Sequence, residues 1–485
     1  MSESTNTYPF KTKPYEHQLN VFNESRRFKN YALFTEMGTG KSKMLIDQMC
    51  FWWRDNAIDA VAIVAPKGVY ANWHNIELPK HMWENTPYVS ALWTSTPRAA
   101  DKKRMGEVFS PIKDHRGYLR IFIINVEALS TKKGQDALFT FLRRFPDRVA
   151  MLIDESTTIK NPKAKRTKAV VSLGKYARIK RIATGSPITR NPLDLFTQCQ
   201  FLDPKLLGFT SFYSFRNRYA VLRDINLGGR SFKKIVGFKN LEELQERLKK
   251  FSIRLTKKEC LDLPEKIYTT RTIELTKEQK HYYQQMKDEC MIQFESGEIT
   301  TAQNALTQIL RLHQVVCGSI NGVDIKNDRI KNLIEVLEET DGKVIIWANY
   351  RENIHSIMEA IIEAFGNKSA VSYYGDTTAD ERKRAVAEFQ DPRSEVRFFV
   401  GNAQTGGYGL TLTEASTVIY YSNSYNLEHR LQSEDRAHRI GQRNPVTYID
   451  FVSPGTIDEK IIKALKEKKS IADLVIDNWR EIIDG

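Results

Sequence analysis

Ala32-Leu33-Phe34-Thr35-Glu36-Met37-Gly38-Thr39-Gly40-Lys41-Ser42 is an apolar run, a glycine-rich turn and the approach to a helical pattern from Lys43. A short apolar run closing in such a turn reads as a buried strand feeding a helix. Gly38, Thr39 and Gly40 can then turn backbone N–H groups toward a phosphate at the helix amino terminus. Lys41 would reach β- and γ-phosphates, and Ser42 would hold a magnesium ion. One position departs from the strict phosphate-loop pattern, because Thr35 stands where that pattern begins with glycine. The plain competitor is an ordinary glycine-rich strand–helix turn.

Outward from this segment the same grammar repeats. Apolar runs at 61–65, 121–125, 150–154 and 181–185 each end in a polar or glycine-containing loop. Buried parallel strands read this way, with function gathered at their carboxyl ends. The run at 150–154 delivers Asp154 and Glu155 side by side. Asp154 can hold magnesium and Glu155 can orient or deprotonate an attacking water. From about 206 to 325 the pattern is amphipathic and helical at 241–251, 278–295 and 304–316, plus one basic, glycine-containing loop at 228–234. Strand–helix alternation returns at 344–347, 369–374, 396–401, 417–421 and 446–451, and 456–483 reads as helix. The expected class is α/β with four parts: a nucleotide-binding lobe over 1–205, a helical insertion and linker over 206–325, a second lobe over 326–455, and a helical tail over 456–485.

Composition narrows the field. The 485 residues carry 41% hydrophobic and 27% charged side chains, a soluble globular balance. Lysine plus arginine outnumber acidic residues 73 to 59, a net charge of +14, which favours a polyanionic partner such as nucleic acid. The basic residues are dispersed, so such a surface must be assembled by folding. The five cysteines form no C-x-x-C pair, which argues against a zinc site or disulfide framework and for a reducing, cytoplasmic setting. The first residues lack the apolar centre of a signal peptide, and no run approaches the length of a membrane span.

A third element lies at Gln432-Ser433-Glu434-Asp435-Arg436-Ala437-His438-Arg439-Ile440-Gly441-Gln442. On a helix, Arg436 and Arg439 would share a face and could act as arginine fingers on a γ-phosphate. A helix surface paired with Glu434 and Asp435 is the bland reading of an isolated R-x-x-R. This string, however, resembles the sixth motif of the Swi/Snf family within helicase superfamily two. Other blocks resemble that family's motifs in order: Pro14-Tyr15-Glu16-His17-Gln18, Ala65-Pro66-Lys67 with Asn72-Trp73, Asp154-Glu155-Ser156 with Ile159-Lys160-Asn161, Ala183-Thr184-Gly185-Ser186-Pro187-Ile188, Tyr374-Gly375-Asp376 with Ala379-Asp380-Glu381-Arg382 and Phe389-Gln390, and Gly406-Gly407-Tyr408-Gly409-Leu410-Thr411-Leu412-Thr413. The likeness runs from about residue 10 to 470.

The resemblance implies two RecA-like lobes and ATP as the nucleotide, with Gln18 reading adenine and Gly409, Gln432, Arg436 and Arg439 completing the ATP site. It implies movement along double-stranded DNA, gripped mainly by its phosphate backbone, with Lys67, Asn125 and Thr411 as contact candidates. Forked or branched DNA is a further expected form. The segment 254–264 resembles the family's linker between lobes. Thr157 stands where many relatives have histidine, which bears on how tightly the nucleotide site is coupled to the third motif. The chain stops soon after the motor, as in a short bacterial or phage member, where it would associate with the nucleoid. One chain holds both halves of the site, so a monomer suffices. Two other classes stay open: an RNA-directed ATPase of the same superfamily, and a DNA-binding scaffold that does not hydrolyse ATP.

Overall fold

The computed structural model describes residues 8–110, 117–188, 191–227, 230–260, 263–295, 302–320, 323–406, 410–424 and 426–467. The chain forms two compact units, Met1–Leu261 and Asp262–Gly485.

The first unit is built on seven parallel strands: β1 (Asn30–Thr35), β2 (Ala60–Ala65), β3 (Tyr88–Leu92), β4 (Leu119–Asn125), β5 (Val149–Asp154), β6 (Ile179–Ala183) and β9 (Ser252–Leu255), in the order β3-β4-β2-β5-β6-β1-β9. Every residue of β2 and β4 is buried, as expected when helices cover both faces of a parallel sheet. Five of these strands lie on the runs expected from sequence. β3 and β9 are additions, and each is an edge strand. Inside β6 the fully buried Arg181 donates to the carbonyls of Ser25, Phe28, Lys29 and Lys180 and to Gln48 Oε1, and its guanidinium lies 4.7 Å from the centre of the Trp52 ring. An ionised group there is tolerable because its donors find partners.

The interval 206–325 differs from its mostly helical expectation. β7 (Ala220–Leu227) and β8 (Arg230–Phe238) pair antiparallel, so 228–234, read as a basic loop, contains the start of a strand. Residues 254 and 255, expected within a linker, belong to β9. The expected helices are present as Leu241–Lys249, Lys277–Glu295 and Ala302–Val316.

The second unit holds six parallel strands: β10 (Lys266–Thr272), β13 (Lys343–Trp347), β14 (Ala370–Tyr373), β15 (Phe398–Gly401), β16 (Ala415–Tyr420) and β17 (Val446–Val452), ordered β10-β17-β16-β13-β15-β14. A small antiparallel pair, β11 (Ser319–Ile320) with β12 (Val323–Asp324), lies between β10 and β13 in the chain. Along β13, Val344 and Ile346 enter one apolar cluster and Ile345 and Trp347 the other, so the sheet is covered on both faces. Of the expected tail helix, Ile457–Lys466 is seen, and residues 468–485 lie outside the described residues.

That helix is locked by charge. Asp458 pairs with Arg329 Nη2, Arg329 Nη1 donates to Tyr421 O at 2.5 Å, and His313 places Nε2 3.2 Å from Asp458 Oδ1 while Nδ1 meets the Tyr350 hydroxyl at 2.7 Å. All three charged residues are buried. Burial opposes a charged imidazole, but Cys317 and Asp458 beside it more than offset this and raise the His313 pKa from 6.5 to about 10. A pKa raised on folding adds stability that is full below 6.5 and fades as pH climbs through 10. His313→Gln should thus cost about 3 kcal/mol at pH 6 and much less at pH 9. Urea midpoints of both proteins at the two pH values measure this, and an equal loss at both contradicts it.

Candidate nucleotide site

β1 stops at Thr35, and Gly38 and Gly40 take φ of +83° and +89°, a left-handed backbone suited to glycine. The helix begins at Lys41, two residues earlier than expected, so Lys41 and Ser42 stand in its first turn among N–H groups with no intrahelical partner. A Cβ on Gly40 would collide with the Gln18 amide. Gln18 is indeed anchored on the loop: Nε2 donates to Thr39 O at 3.0 Å, and Oε1 accepts from Tyr15 N at 3.1 Å. His17 Nε2 lies 2.9 Å from the same Thr39 carbonyl. Lys41, 8% exposed, directs its ammonium to Thr35 O at 3.2 Å and Glu36 O at 3.4 Å, and lies 3.9 Å from Glu155 Oε1.

β5 delivers the carboxylates to the same place. Asp154 Oδ2 accepts from Trp73 Nε1 at 2.9 Å, and Oδ1 from Glu155 N at 3.1 Å. Burial, reinforced by the Glu155 charge, raises the Asp154 carboxyl to about 6, against the pull of Trp73 and Lys41. Glu155 adopts φ +51°, uncommon for a non-glycine residue, and its Oε2 accepts from Thr184 Oγ1 at 3.0 Å. The second and third motifs thereby touch directly. Thr157 is buried in the 3₁₀ turn Ser156–Ile159. Trp73 is legible in the sequence only as part of a motif. Its bond to Asp154 arises within a single π-helical turn, Trp73–Glu77, a distortion often found at functional sites. The Ser42 hydroxyl and Asp154 carboxylate are hard oxygen donors. Magnesium takes few protein ligands and keeps water and phosphate oxygens, so this pair fits it.

β9 braces the loop from below. Glu36 N donates to Leu255 O at 3.0 Å, Lys257 N to Glu36 Oε2 at 2.9 Å, and Arg254 Nη1 to Phe34 O at 3.0 Å and Gly185 O at 3.1 Å. Arg254 thus joins the phosphate-loop strand to the third motif, a role that a linker assignment does not convey.

In the second unit the helix Leu427–Ala437 carries Gln432 and Arg436. Arg439 lies beyond its end, because the chain leaves the helix at His438 and Gly441 turns at φ +104°. The shared helical face expected for the two arginines is therefore corrected, yet the side chains still converge. Arg436 Nη1 donates to Leu410 O at 3.1 Å, and Arg439 Nη1 to the same oxygen at 2.8 Å. Arg436 Nε also donates to Gln432 O at 2.7 Å. The fifth and sixth motifs are stitched further by Leu412 N to Arg436 O at 3.0 Å and by Gln442 Nε2 to Ala415 O at 2.8 Å. Gln432 is buried, with Nε2 on Glu428 Oε1 at 3.1 Å and Oε1 lacking a partner among the described residues. Glu434 is engaged by residues other than Arg436 and Arg439. It meets Arg430 at 2.8 Å and Lys266 at 2.9 Å, while Arg430 also pairs with Asp450 and covers the Tyr420 ring at 3.6 Å. This buried cluster fixes the helix that carries Arg436. Gly409 lies outside the described residues.

Of the three DNA-contact candidates, Lys67 is exposed and its N–H donates to Glu127 Oε2 at 3.1 Å. Thr411 is half-buried. Asn125 is buried, and its Oδ1 caps the following turn by accepting from Ala128 N at 2.9 Å.

The SNF2-related domain matches residues 16–319, and the helicase conserved C-terminal domain matches 325–441. The chain is similar to the SWI/SNF chromatin-remodeling complex subunit snf22 of Schizosaccharomyces pombe, 29% identical over 353 residues, covering 68% of this chain and 21% of that protein. It is similar to the human DNA annealing helicase and endonuclease ZRANB3, 28% identical over 343 residues, covering 69% of this chain and 30% of that protein. It therefore spans well under half the length of these relatives. Among solved structures, the Sulfolobus solfataricus SWI2/SNF2 ATPase core in complex with dsDNA is 25% identical, with 100% and 97% of the two chains covered and a TM-score of 0.44.

Proposed function

The chain belongs to the SNF2-related family, and from that membership we propose that it is an ATP-driven translocase on double-stranded DNA. The observation that carries the reading is the meeting of Lys41, Glu155 and Thr184 at the carboxyl ends of β5 and β6, beside the glycine loop. Phosphoryl transfer needs positioning and charge stabilisation more than covalent chemistry, and these groups offer both. Lys41 and the helix amino terminus hold the β- and γ-phosphates, and Gln18 reads adenine. Glu155 orients the attacking water, with Thr184 fixing its second oxygen. Ser42 and Asp154 would hold magnesium, which when bound would neutralise phosphate charge. Arg436 and Arg439 stabilise the transferred phosphoryl group, with Gln432 and Gly409 completing the nucleotide site.

DNA is gripped through its phosphates, with Lys67 and Thr411 as contacts and Asn125 setting the shape of its loop. Such binding is poorly sequence-specific and falls steeply with salt. The similarity to a DNA annealing helicase supports DNA as the partner, and forked DNA is proposed as a further form. One chain carries every named group, so it acts as a monomer. Among the described residues no helix is long and apolar enough to cross a membrane. The proposed setting is the cytoplasm, on the nucleoid.

Steady-state ATP hydrolysis with no nucleic acid, duplex DNA, single-stranded DNA and RNA tests the reading. Duplex DNA should stimulate turnover most. Stimulation by RNA alone would replace the proposal with an RNA-directed ATPase, and no hydrolysis in any condition would replace it with a scaffold.

A further inference from the structure

A second connection joins the carboxylate pair to the third motif, and its middle residue belongs to none of the motifs. Ser156, next to Glu155, is completely buried and donates from Oγ to Gln198 Oε1 at 2.7 Å. Gln198, also completely buried, donates from Nε2 to Pro187 O and to Asp194 O, both at 2.8 Å. Its amide oxygen and both amide hydrogens are thereby used, which fixes the orientation of the group. The residue sits in the helix Leu195–Leu202, whose sequence LFTQCQFL is otherwise mainly apolar on its buried side. An apolar residue there would need no partners. A glutamine is tolerated because it spans two strand-end loops.

The loop it reaches runs from Gly185, buried against Met37 of the phosphate loop, to Ile188, which is 45% exposed. The loop therefore links the surface to the nucleotide site. Thr184 ties its root to Glu155, and Gln198 ties Pro187 to Ser156. Two tethers at different points thus join the loop to the 154–156 turn.

We propose that Gln198 is a positioning residue that transmits the state of the third-motif loop to Glu155, so that DNA engagement raises the rate of hydrolysis. The proposal rests on the DNA-stimulated ATPase reading above. Gln198 touches no reacting atom. It sets how far the Glu155 carboxylate responds when the loop is engaged.

The test compares wild type, Gln198→Leu, Ser156→Ala/Gln198→Leu and Thr197→Val by melting temperature and by ATP turnover with and without saturating duplex DNA. Gln198→Leu strands the Ser156 hydroxyl in the core, whereas the double variant removes both ends of that bond and is the better-tolerated change. Thr197→Val breaks the adjacent bond from Oγ1 to Ile159 O at 2.6 Å and controls for general loosening of the helix. In both Gln198 variants the ratio of stimulated to unstimulated turnover should fall roughly tenfold. Unstimulated turnover and the KM for ATP should stay near wild type, and Thr197→Val should lower the melting temperature while leaving the ratio intact. A folded double variant with the wild-type ratio overturns the proposal, as does an equal fall in Thr197→Val. A wild type that duplex DNA does not stimulate overturns the functional reading and this proposal together.

Discussion

Alanine at Arg436 is expected to lower DNA-stimulated ATP turnover by roughly 10³–10⁵, the range of an arginine finger. The fold should survive. The Leu410 carbonyl keeps its bond from Arg439 Nη1, and the helix stays anchored by Arg430 on Glu434 and Asp450. Arg439→Ala should fall in the same range, since its guanidinium serves the same oxygen from beyond the helix end. Lysine at 436 should rescue little, because an ammonium cannot hold a helix carbonyl and present a planar fork together. Single-turnover hydrolysis, alongside the melting temperature, separates this effect from unfolding. A stable variant with turnover within a few-fold of wild type would show that the residue only ties the fifth motif to the sixth.

The second large effect is expected at Lys41. Alanine there should cut turnover by roughly 10²–10³, the usual loss when a preorganised charge or donor is taken from a developing anion. Its ammonium is buried among the Thr35 and Glu36 carbonyls, 3.9 Å from Glu155, so it is already held where a phosphate would arrive. Stability should change little. The Glu36 carbonyl keeps its bond from Thr39 Oγ1, and Glu155 retains Thr184. Turnover at saturating ATP, with binding followed by a fluorescent nucleotide, measures it. Near-normal hydrolysis by Lys41→Ala would remove the phosphate-loop assignment.

The sheet cores are legible because strands buried on both faces leave continuous apolar runs. β2, β4 and β5 are such runs, and each begins within two residues of where the sequence places it. The edge strands β9 and β10 lack that signature. β10, Lys-Ile-Tyr-Thr-Thr-Arg-Thr, is largely exposed, and the four residues of β9 carry one arginine. The β7–β8 hairpin escapes because its polar and apolar residues do not form a continuous run. Motif order marks Lys41, Asp154 and Glu155 in the first unit and Arg436 and Arg439 in the second, since order along the chain survives folding. Partners distant in sequence do not show. Trp73 is 81 residues from Asp154, and Gln198 is 42 from Ser156. Spacing alone puts Arg439 on the helix, three residues after Arg436. The left-handed turn at Gly441 belongs to the motif's exit, where a glycine can end a helix nearby.

Movement along duplex DNA driven by ATP hydrolysis should displace the third strand of a DNA triplex. A labelled triplex-forming strand is laid on a duplex arm, and its release is followed with ATP, with a non-hydrolysable analogue, and with Lys41→Ala. The wild-type protein should release the strand with ATP alone. Robust duplex-stimulated hydrolysis with no release under any condition would contradict it, leaving a DNA-dependent ATPase that does not translocate.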